Sequence, residues 1–391
     1  MKKIILLLLI LLFSFSLFAC TKQKKEQTLV VGVSEITGVF VGEYGLNSSG
    51  QPINRVDEMV RNLIHGYETY TVDKHGKILL NETVIKEVTT TLDTATGNKT
   101  YIFEINSDLY WSDKVNITSV DYVFSILMQA SVDWKYPGYA SKVGEKLLGY
   151  SDYRIGTTSE GVLFKGIQLI DTYKFSVTID HQYASLFFET YYLKFKPLPF
   201  HRLTEKYTVI QSDSFGTWIE SGGFSLLADA KKPGGYVYAP DVTCGPYQFV
   251  SFINQEVTLK LNSQFKGNFE GKKPVIDNII IKRVNQVTDV DQVISGELDL
   301  VTNVIESMKI KQAEESDATN ISYYTRNGFG MITLMTDFGP TADYRVRQAI
   351  AYLVDKQVYI DEYFDGYGTI TTSEYGIHQW MYQESKEWMI S

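Results

Sequence analysis

The chain has 391 residues, with 37 Lys and Arg against 46 Asp and Glu and a net charge of −9. That balance argues against nucleic acid as the main partner, because phosphate binding is driven by clustered cations. Hydrophobic residues at 44% and charged residues at 21% exclude wholesale disorder, and two cysteines, Cys20 and Cys244, leave no disulfide framework and no cysteine-based zinc site.

At the N-terminus, Lys2 and Lys3 precede an apolar run from Ile4 to Ala19, broken only by Ser14 and Ser16. The run is too short for a spanning helix, which needs roughly 20 apolar residues. A charged start followed by a short apolar core predicts a secretory signal peptide over residues 1–19. It ends in Leu17-Phe18-Ala19-Cys20, which resembles a bacterial lipobox, with Phe18 bulkier than the usual occupant. The resemblance implies that Cys20 becomes the lipidated first residue and anchors the protein to the membrane; an ordinary signal with an incidental cysteine is the alternative. Residues 20–27 are polar and Lys-rich, as a tether would be.

Thr28 to Val33 reads as a buried strand and residues 34–54 as loop. Val56, Met59, Val60, Leu63 and Ile64 fall at helical spacing, with Asn54 as cap and Gly66 as stop. Alternation over Val84–Leu92 and Thr100–Ile105 around Asp93–Asn98 predicts a hairpin. Thr118 with Asp121 opens a helix bearing Val120, Val123, Phe124, Leu127 and Met128, Asp121 standing where a longer Glu is usual. A polar stretch over 131–160 follows. Strands are predicted at Phe175–Ile179, Val257–Leu261, Ile276–Val284 and from Leu298, with a short helix after Thr288. Gly330 to Thr336 looks strand-like, and Asp343 opens a helix with a buried face of Val346, Ala349, Ile350, Leu353 and Val354. The recurring order of strand and helix predicts a mixed α/β protein with more than one sheet.

Catalytic patterns fail. The five histidines have no pair at i, i+4, no Walker loop or Gly-x-Ser-x-Gly elbow occurs, and Cys244 beside Gly245-Pro246 reads as a packed small hydrophobe. Carboxylate pairs such as Asp108 with Asp113 and Glu297 with Asp299 read as solvated or capping acids. Neither a metal site nor a cofactor is expected.

Four segments taken together resemble one family. They are Tyr101–Ile105 with Asp108-Leu109-Tyr110-Trp111-Ser112-Asp113 and Ile117–Ser125; Cys244-Gly245-Pro246-Tyr247-Gln248-Phe249; Asp277–Ile281 with Ser295-Gly296-Glu297-Leu298-Asp299; and Asp343–Tyr352 with Asp355. In this order, behind a lipobox, they are similar to the bacterial extracytoplasmic solute-binding proteins of family 5, the oligopeptide, dipeptide and nickel receptors of ABC importers. For each motif by itself a scaffold role is the prevailing reading.

The resemblance implies a periplasmic-binding-protein-like two-lobe (type II) fold that closes over solute, with lobe I and an inserted subdomain over 28–270 and an incomplete lobe II over 271–391. It implies a substrate-binding lipoprotein, not an enzyme, that captures oligopeptides and delivers them to ABC permease subunits from the outer face of the bacterial cell membrane. A monomer that binds no nucleic acid is expected. Ser34, Glu35 and Ile36, Tyr247, and Phe329, Gly330 and Met331 are its candidate ligand contacts. A receptor for a nickel chelate, a sugar or a signalling peptide, and a secreted hydrolase, are the competing readings. Family members continue well past the Asp343 helix, whereas this sequence ends at Ser391, so a truncated or split receptor is expected.

Overall fold

The computed structural model describes residues 26–42, 54–134, 141–156, 158–325, 327–371 and 373–389. The expected signal peptide, the lipid-bearing Cys20 and most of the tether lie outside them. The chain begins with β1 (Thr28–Val33), α1 (Arg55–Ile64), the ribbon β2 (Tyr70–Val72) and β3 (Ile78–Leu80), and the hairpin β4 (Ile85–Leu92) and β5 (Lys99–Ile105). Next come α2 (Ser119–Ala130), α3 (Tyr150–Arg154), β6 (Ile167–Asp171), β7 (Lys174–Ile179), α4 (Phe200–Leu203), β8 (Ile210–Asp213) and β9 (Gly216–Ile219). After α5 (Leu227–Ala230) follow β10 (Tyr247–Ile253), β11 (Glu256–Leu261), β12 (Asn278–Arg283), α6 (Asp289–Ile294) and β13 (Leu300–Val301). The last helices are α7 (Ser307–Glu314), α8 (Tyr344–Leu353), α9 (Lys356–Phe364) and α10 (Trp380–Met389).

Two larger sheets organise these elements. One has the order β10-β11-β12-β1-β13 and the other β4-β5-β7-β6. In the first, β1 runs parallel to both β12 and β13, while β11 is antiparallel to its neighbours. β1 is therefore an interior strand, which explains its continuous apolar run: Val31 and Val33 are buried, and a Cβ on Gly32 would meet the Leu298 side chain at 2.6 Å. The second sheet is wholly antiparallel. β12 and β13 hydrogen-bond with β1, so the expected boundary after residue 270 falls inside a sheet. Paired carbonyl and amide rows cannot be split between two bodies without leaving a buried edge unpaired.

Each sheet has its own core. The larger gathers Phe103, Phe175, Tyr122, Phe124 and Trp111 between the antiparallel sheet and α2. Tyr122 stacks on Phe175 with ring centroids 5.5 Å apart, and Phe103 stacks on Phe175 at 5.3 Å. The smaller lies between the mixed sheet and α1, whose Val56, Val60 and Ile64 meet Ile279, Ile281 and Leu259. Asn54 caps α1, its Oδ1 accepting from the Val56 N–H at 2.8 Å. Asp121 does complete a capping box despite its length, accepting from the Thr118 N–H at 2.8 Å. Gly245 allows the chain to pass against the end of α1, where a Cβ would lie 2.5 Å from the Ile64 carbonyl carbon. Its N–H donates to that residue's carbonyl oxygen at 2.8 Å.

Beyond β13 the picture changes. The strand expected at Gly330–Thr336 does not form. The helix at Asp343 does form, capped by Asp343 Oδ1 accepting from the Arg345 N–H at 2.9 Å, but its expected buried face is not buried. Leu353 is 83% exposed and Val354 38%. The pattern is amphipathic, but beyond the neighbouring turn at Pro340–Ala342 little covers it among the described residues: Val346 and Ile350 are half-buried and Ala349 and Leu353 are exposed.

Candidate functional site

In open sheets with parallel strands, ligands collect outside the carboxyl ends of those strands, where loops diverge. Here β1 and β12 end side by side, Val33 being in register with Arg283. The residues that follow them, Ser34 and Glu35 on one side and Val284, Asn285 and Gln286 on the other, line with Arg283 a recess of about 540 Å³. The Val284 N–H donates to the Val33 carbonyl at 2.9 Å, holding the two loops together at their base.

The β1 loop is fixed by two side chains far away in sequence. Gln255 brackets Ile36, its Oε1 accepting from the Ile36 N–H at 2.9 Å while its Nε2 donates to the Ile36 carbonyl at 2.9 Å. Asp57, at the start of α1, accepts from the backbone N–H of Thr37 at 2.9 Å and of Val39 at 2.9 Å. A carboxylate at a helix start is favoured by the helix dipole, and here it also satisfies the amides of the preceding loop. Arg61, one turn on, donates from Nη1 to the Val39 carbonyl at 2.9 Å. The sequence patterns above do not single out Asp57, Arg61 or Gln255. The first two sit on the apolar face of α1, and a charged residue on a buried face is the signal that could have found them.

Ser34 and Glu35 are exposed at the mouth of the recess. Among the described residues, neither the Glu35 carboxylate nor the Arg283 guanidinium makes an ion pair, so one acid and one base stand open to a single space. Ile36 does not line it: the side chain is 1% exposed and belongs to the smaller core. Tyr247 lies away from this recess. It pairs with Leu261 at the Asn278 end of the sheet, so that the length of β12 along the strands and three strand spacings across the sheet put it more than about 20 Å from Ser34. It is buried in the smaller core. Phe329, Gly330 and Met331 do not line the recess either. Their segment starts beside the turn after β2, where Asn327 Nδ2 donates to the Lys74 carbonyl at 3.0 Å.

The remaining sequence candidates resolve into scaffold. Cys244 is fully buried, with its thiol pushed up to about 12 by burial. Asp113 accepts from His201 Nε2 at 2.8 Å and from the Val115 N–H at 3.1 Å, and Ser112 Oγ accepts from the Thr243 N–H at 3.0 Å. These bonds tie the Trp111-Ser112-Asp113 turn to the strand-entry bend at Cys244-Gly245. Asp108 pairs with Lys266 at 2.6 Å and Glu297 with Lys282 at 3.7 Å. Asp299 accepts from the Val30 N–H at 2.7 Å. No group of three or more His, Cys, Asp or Glu among the described residues is placed to hold a metal ion, and no described helix is long and apolar enough to cross a membrane.

The mixed sheet, the separate antiparallel sheet and the recess at the strand ends make an α/β fold like that of periplasmic solute-binding proteins of known structure. The family profile described as bacterial extracellular solute-binding proteins, family 5, middle part, matches residues 83–388. The chain belongs to that family. It is 25% identical over 272 residues to the periplasmic oligopeptide-binding protein OppA of Escherichia coli, an alignment covering 68% of this chain and 44% of that protein. Among solved structures it resembles a periplasmic EDTA-binding protein, EppA, with a TM-score of 0.57 and 19% identity over 88% of this chain and 56% of the other. It also resembles the oligopeptide-binding protein AppA of Bacillus subtilis in complex with a nonapeptide, with a TM-score of 0.56 and 18% identity over 91% and 59%. The chain therefore spans about half the length of the relatives it matches.

Proposed function

We propose that this chain is the substrate-binding lipoprotein of an ABC importer and captures oligopeptides at the carboxyl ends of β1 and β12, without chemical change to them. The observation that carries the reading is the open pair of opposite charges, Glu35 and Arg283, on one recess of a family 5 fold. A peptide with free termini offers an ammonium for the carboxylate and a carboxylate for the guanidinium, which pairs bidentately with such groups. In this reading lobe I runs from β1 to β13 with the antiparallel sheet as its inserted subdomain, and the second lobe begins after Val301. Phe329 and Met331, both exposed, then belong to the opposing jaw and reach the ligand only on closure. Ligand favours the closed form because it touches both jaws at once. The lipid on Cys20 would hold the monomeric body at the outer face of the cell membrane, within reach of the permease subunits.

Calorimetric titration with peptides of three to nine residues tests this. Unblocked peptides are expected to saturate, and N-acetylation or Glu35→Gln to weaken binding about ten-fold, the scale of one charge-assisted hydrogen bond. Saturation by a nickel chelate or a sugar, with no response to any peptide, would replace the peptide reading with one of those.

A further inference from the structure

The end of the mixed sheet opposite the recess is where the tether enters the fold. Gln27, the last tether residue, is fixed there. Its N–H donates to Asp277 Oδ2 at 2.9 Å, and its carbonyl accepts from the Asn278 N–H at 2.9 Å. Asn278 Nδ2 also donates to Glu26 at 3.1 Å. β1 and β12 start side by side at this point, about 17 Å along the strands from the recess at Arg283. In the lipid-anchor reading only residues 20–27 lie between the bilayer and this end, and eight residues span at most about 28 Å. The inference rests on that anchor and not on what the recess binds.

This end is basic in a chain of net charge −9. Residues 20–27 and 260–278 together carry seven Lys, no Arg and three acids. Glu26 and Asp277 are the two acids engaged by the bonds just described, and the third, Glu270, pairs with Lys272 at 2.8 Å. Lys266 is taken up by Asp108 at 2.6 Å. Among the described residues Lys260 and Lys273 make no ion pair, and both are exposed. Lys260 is in register with Asn278; Lys273, four residues before Asp277, lies within about 14 Å of it. Val275, between Lys273 and Asp277, is 75% exposed.

The lysines stand on a rigid support. Asn268 closes a turn, its N–H donating to the Lys272 carbonyl at 2.9 Å and its Oδ1 accepting from the Glu270 and Lys272 N–H groups at 3.0 and 2.9 Å. Thr83 Oγ1 donates to the Asn268 carbonyl at 2.7 Å and ties that turn to the body. The positive field extends past it, since Lys272 and Lys273 also border a cavity of about 800 Å³ whose wall carries seven Lys and Arg against three Glu. Each lysine brought close to an anionic bilayer strengthens attachment about five-fold. A short tether makes the docking intramolecular, so a weak face suffices.

From this placement we propose that the tether end of the mixed sheet, with Lys260, Lys272, Lys273 and Val275, docks on the anionic lipid surface that holds the anchor. Docking there turns the recess at Glu35 and Arg283 away from the bilayer.

The test is labelling of the full chain with a water-soluble amine reagent, read lysine by lysine by mass spectrometry, on vesicles of phosphatidylcholine alone or mixed with phosphatidylglycerol. Lys260, Lys272 and Lys273 are expected to react at least about three-fold more slowly on the anionic vesicles. The difference is expected to vanish at about 1 M salt, where the screening length is about 3 Å. Lys282, at the recess end of β12, should react equally on both. Lys272→Gln with Lys273→Gln, both at exposed positions, should return Lys260 to the rate it has on neutral vesicles. Equal labelling on both vesicles, protection that survives high salt, or equal protection of Lys282 would each overturn the proposal. Flotation on phosphatidylcholine vesicles reads the anchor separately. A chain that floats there without lysine protection on the anionic vesicles keeps the anchor and loses the docking face. A chain that floats only on the anionic vesicles keeps the face and loses the anchor, and flotation on neither overturns both.

Discussion

Residues 54–301 and residues 302–371 use the same vocabulary of strand and helix patterns, yet they meet opposite fates. The first region buries two cores, with Trp111, Tyr122, Phe103 and Phe175 inaccessible to solvent. In the second, Ile360 is the one buried large apolar side chain among the described residues, while Tyr352, Leu353, Met308 and Tyr363 are more than 70% exposed. Helix α8 in that region is as amphipathic as many core helices and is properly capped. Local sequence therefore sets where a helix starts and which side is apolar; whether that side is buried depends on another element arriving to cover it. Large apolar patches left open mark sites where something else packs.

The comparison breaks most sharply in the larger core. Phe103 is fully buried between Phe175 and Tyr70. Phe103→Ala is expected to lower unfolding stability by about 3–5 kcal/mol through lost transfer energy and a residual cavity. Denaturant titration measures it, and a loss below about 1 kcal/mol would mean that the core is not packed as described.

A second contrast concerns the bend at Gly245. An added Cβ would strike the backbone at Ile64 and Leu63, at 2.5 and 2.6 Å, and backbone cannot swing aside as a side-chain tip can. Gly245→Ala should cost about 1–3 kcal/mol by forcing α1 away from the bend. The smaller core should loosen with it, because α1 is its lid.

Two buried ionisable groups in the first region sharpen the comparison through pH. Burial, helped by the charges of Lys196 and Arg61, drives His65 down to about 3 against the bond to the Phe40 carbonyl. Burial drives Asp121 up to about 6 against the N–H bonds from Thr118 and Phe200. The unfolded chain protonates His65 first, so acidification from about 6.5 toward 3 removes stability. The folded chain protonates Asp121 first, so acidification from about 6 toward 3.8 adds stability. Over pH 4 to 6 the two slopes oppose each other, each at most about 1.4 kcal/mol per pH unit. Asp121→Asn should therefore make the protein lose stability on acidification more steeply than the wild type, and His65→Gln less steeply, whatever constant offset each substitution brings. Denaturation midpoints across that pH range measure both, and variant curves parallel to the wild type would refute the assignment.

Much of this fold could be read in advance from local patterns. Asn54 and Asp343 announced helices that form where their side chains cap, and the alternation around Asp93–Asn98 announced a hairpin that pairs in register. The family was legible because four such segments keep a fixed order. What could not be read was non-local. Nothing in the sequence near Ile276 says that β12 returns to pair with β1, and this is why the boundary expected after residue 270 falls inside a sheet. The site shows the same divide. Ser34 and Glu35 follow a recognisable strand, but Arg283 enters the recess only through that long-range pairing, and Ile36 is turned into the core by the Gln255 bracket.

The smallest expected effects lie in the second region, and they bear on its role. A Cβ added at Gly330 would meet nothing within 4 Å, the backbone there is not left-handed, and Leu353 is 83% exposed. Gly330→Ala and Leu353→Ala should each leave stability within about 0.5 kcal/mol of wild type, as surface substitutions do. If residues 329–331 close over a ligand in the peptide reading, Gly330→Ala should still alter peptide affinity, because backbone there would approach the ligand closely. An unchanged midpoint together with a changed affinity would separate a jaw from a core, whereas a destabilisation of about 2 kcal/mol or more by either substitution would show that this region is buried after all. The physical point is that a surface built to meet a partner carries its information in what it can contact, and stability measurements on the isolated chain are blind to it.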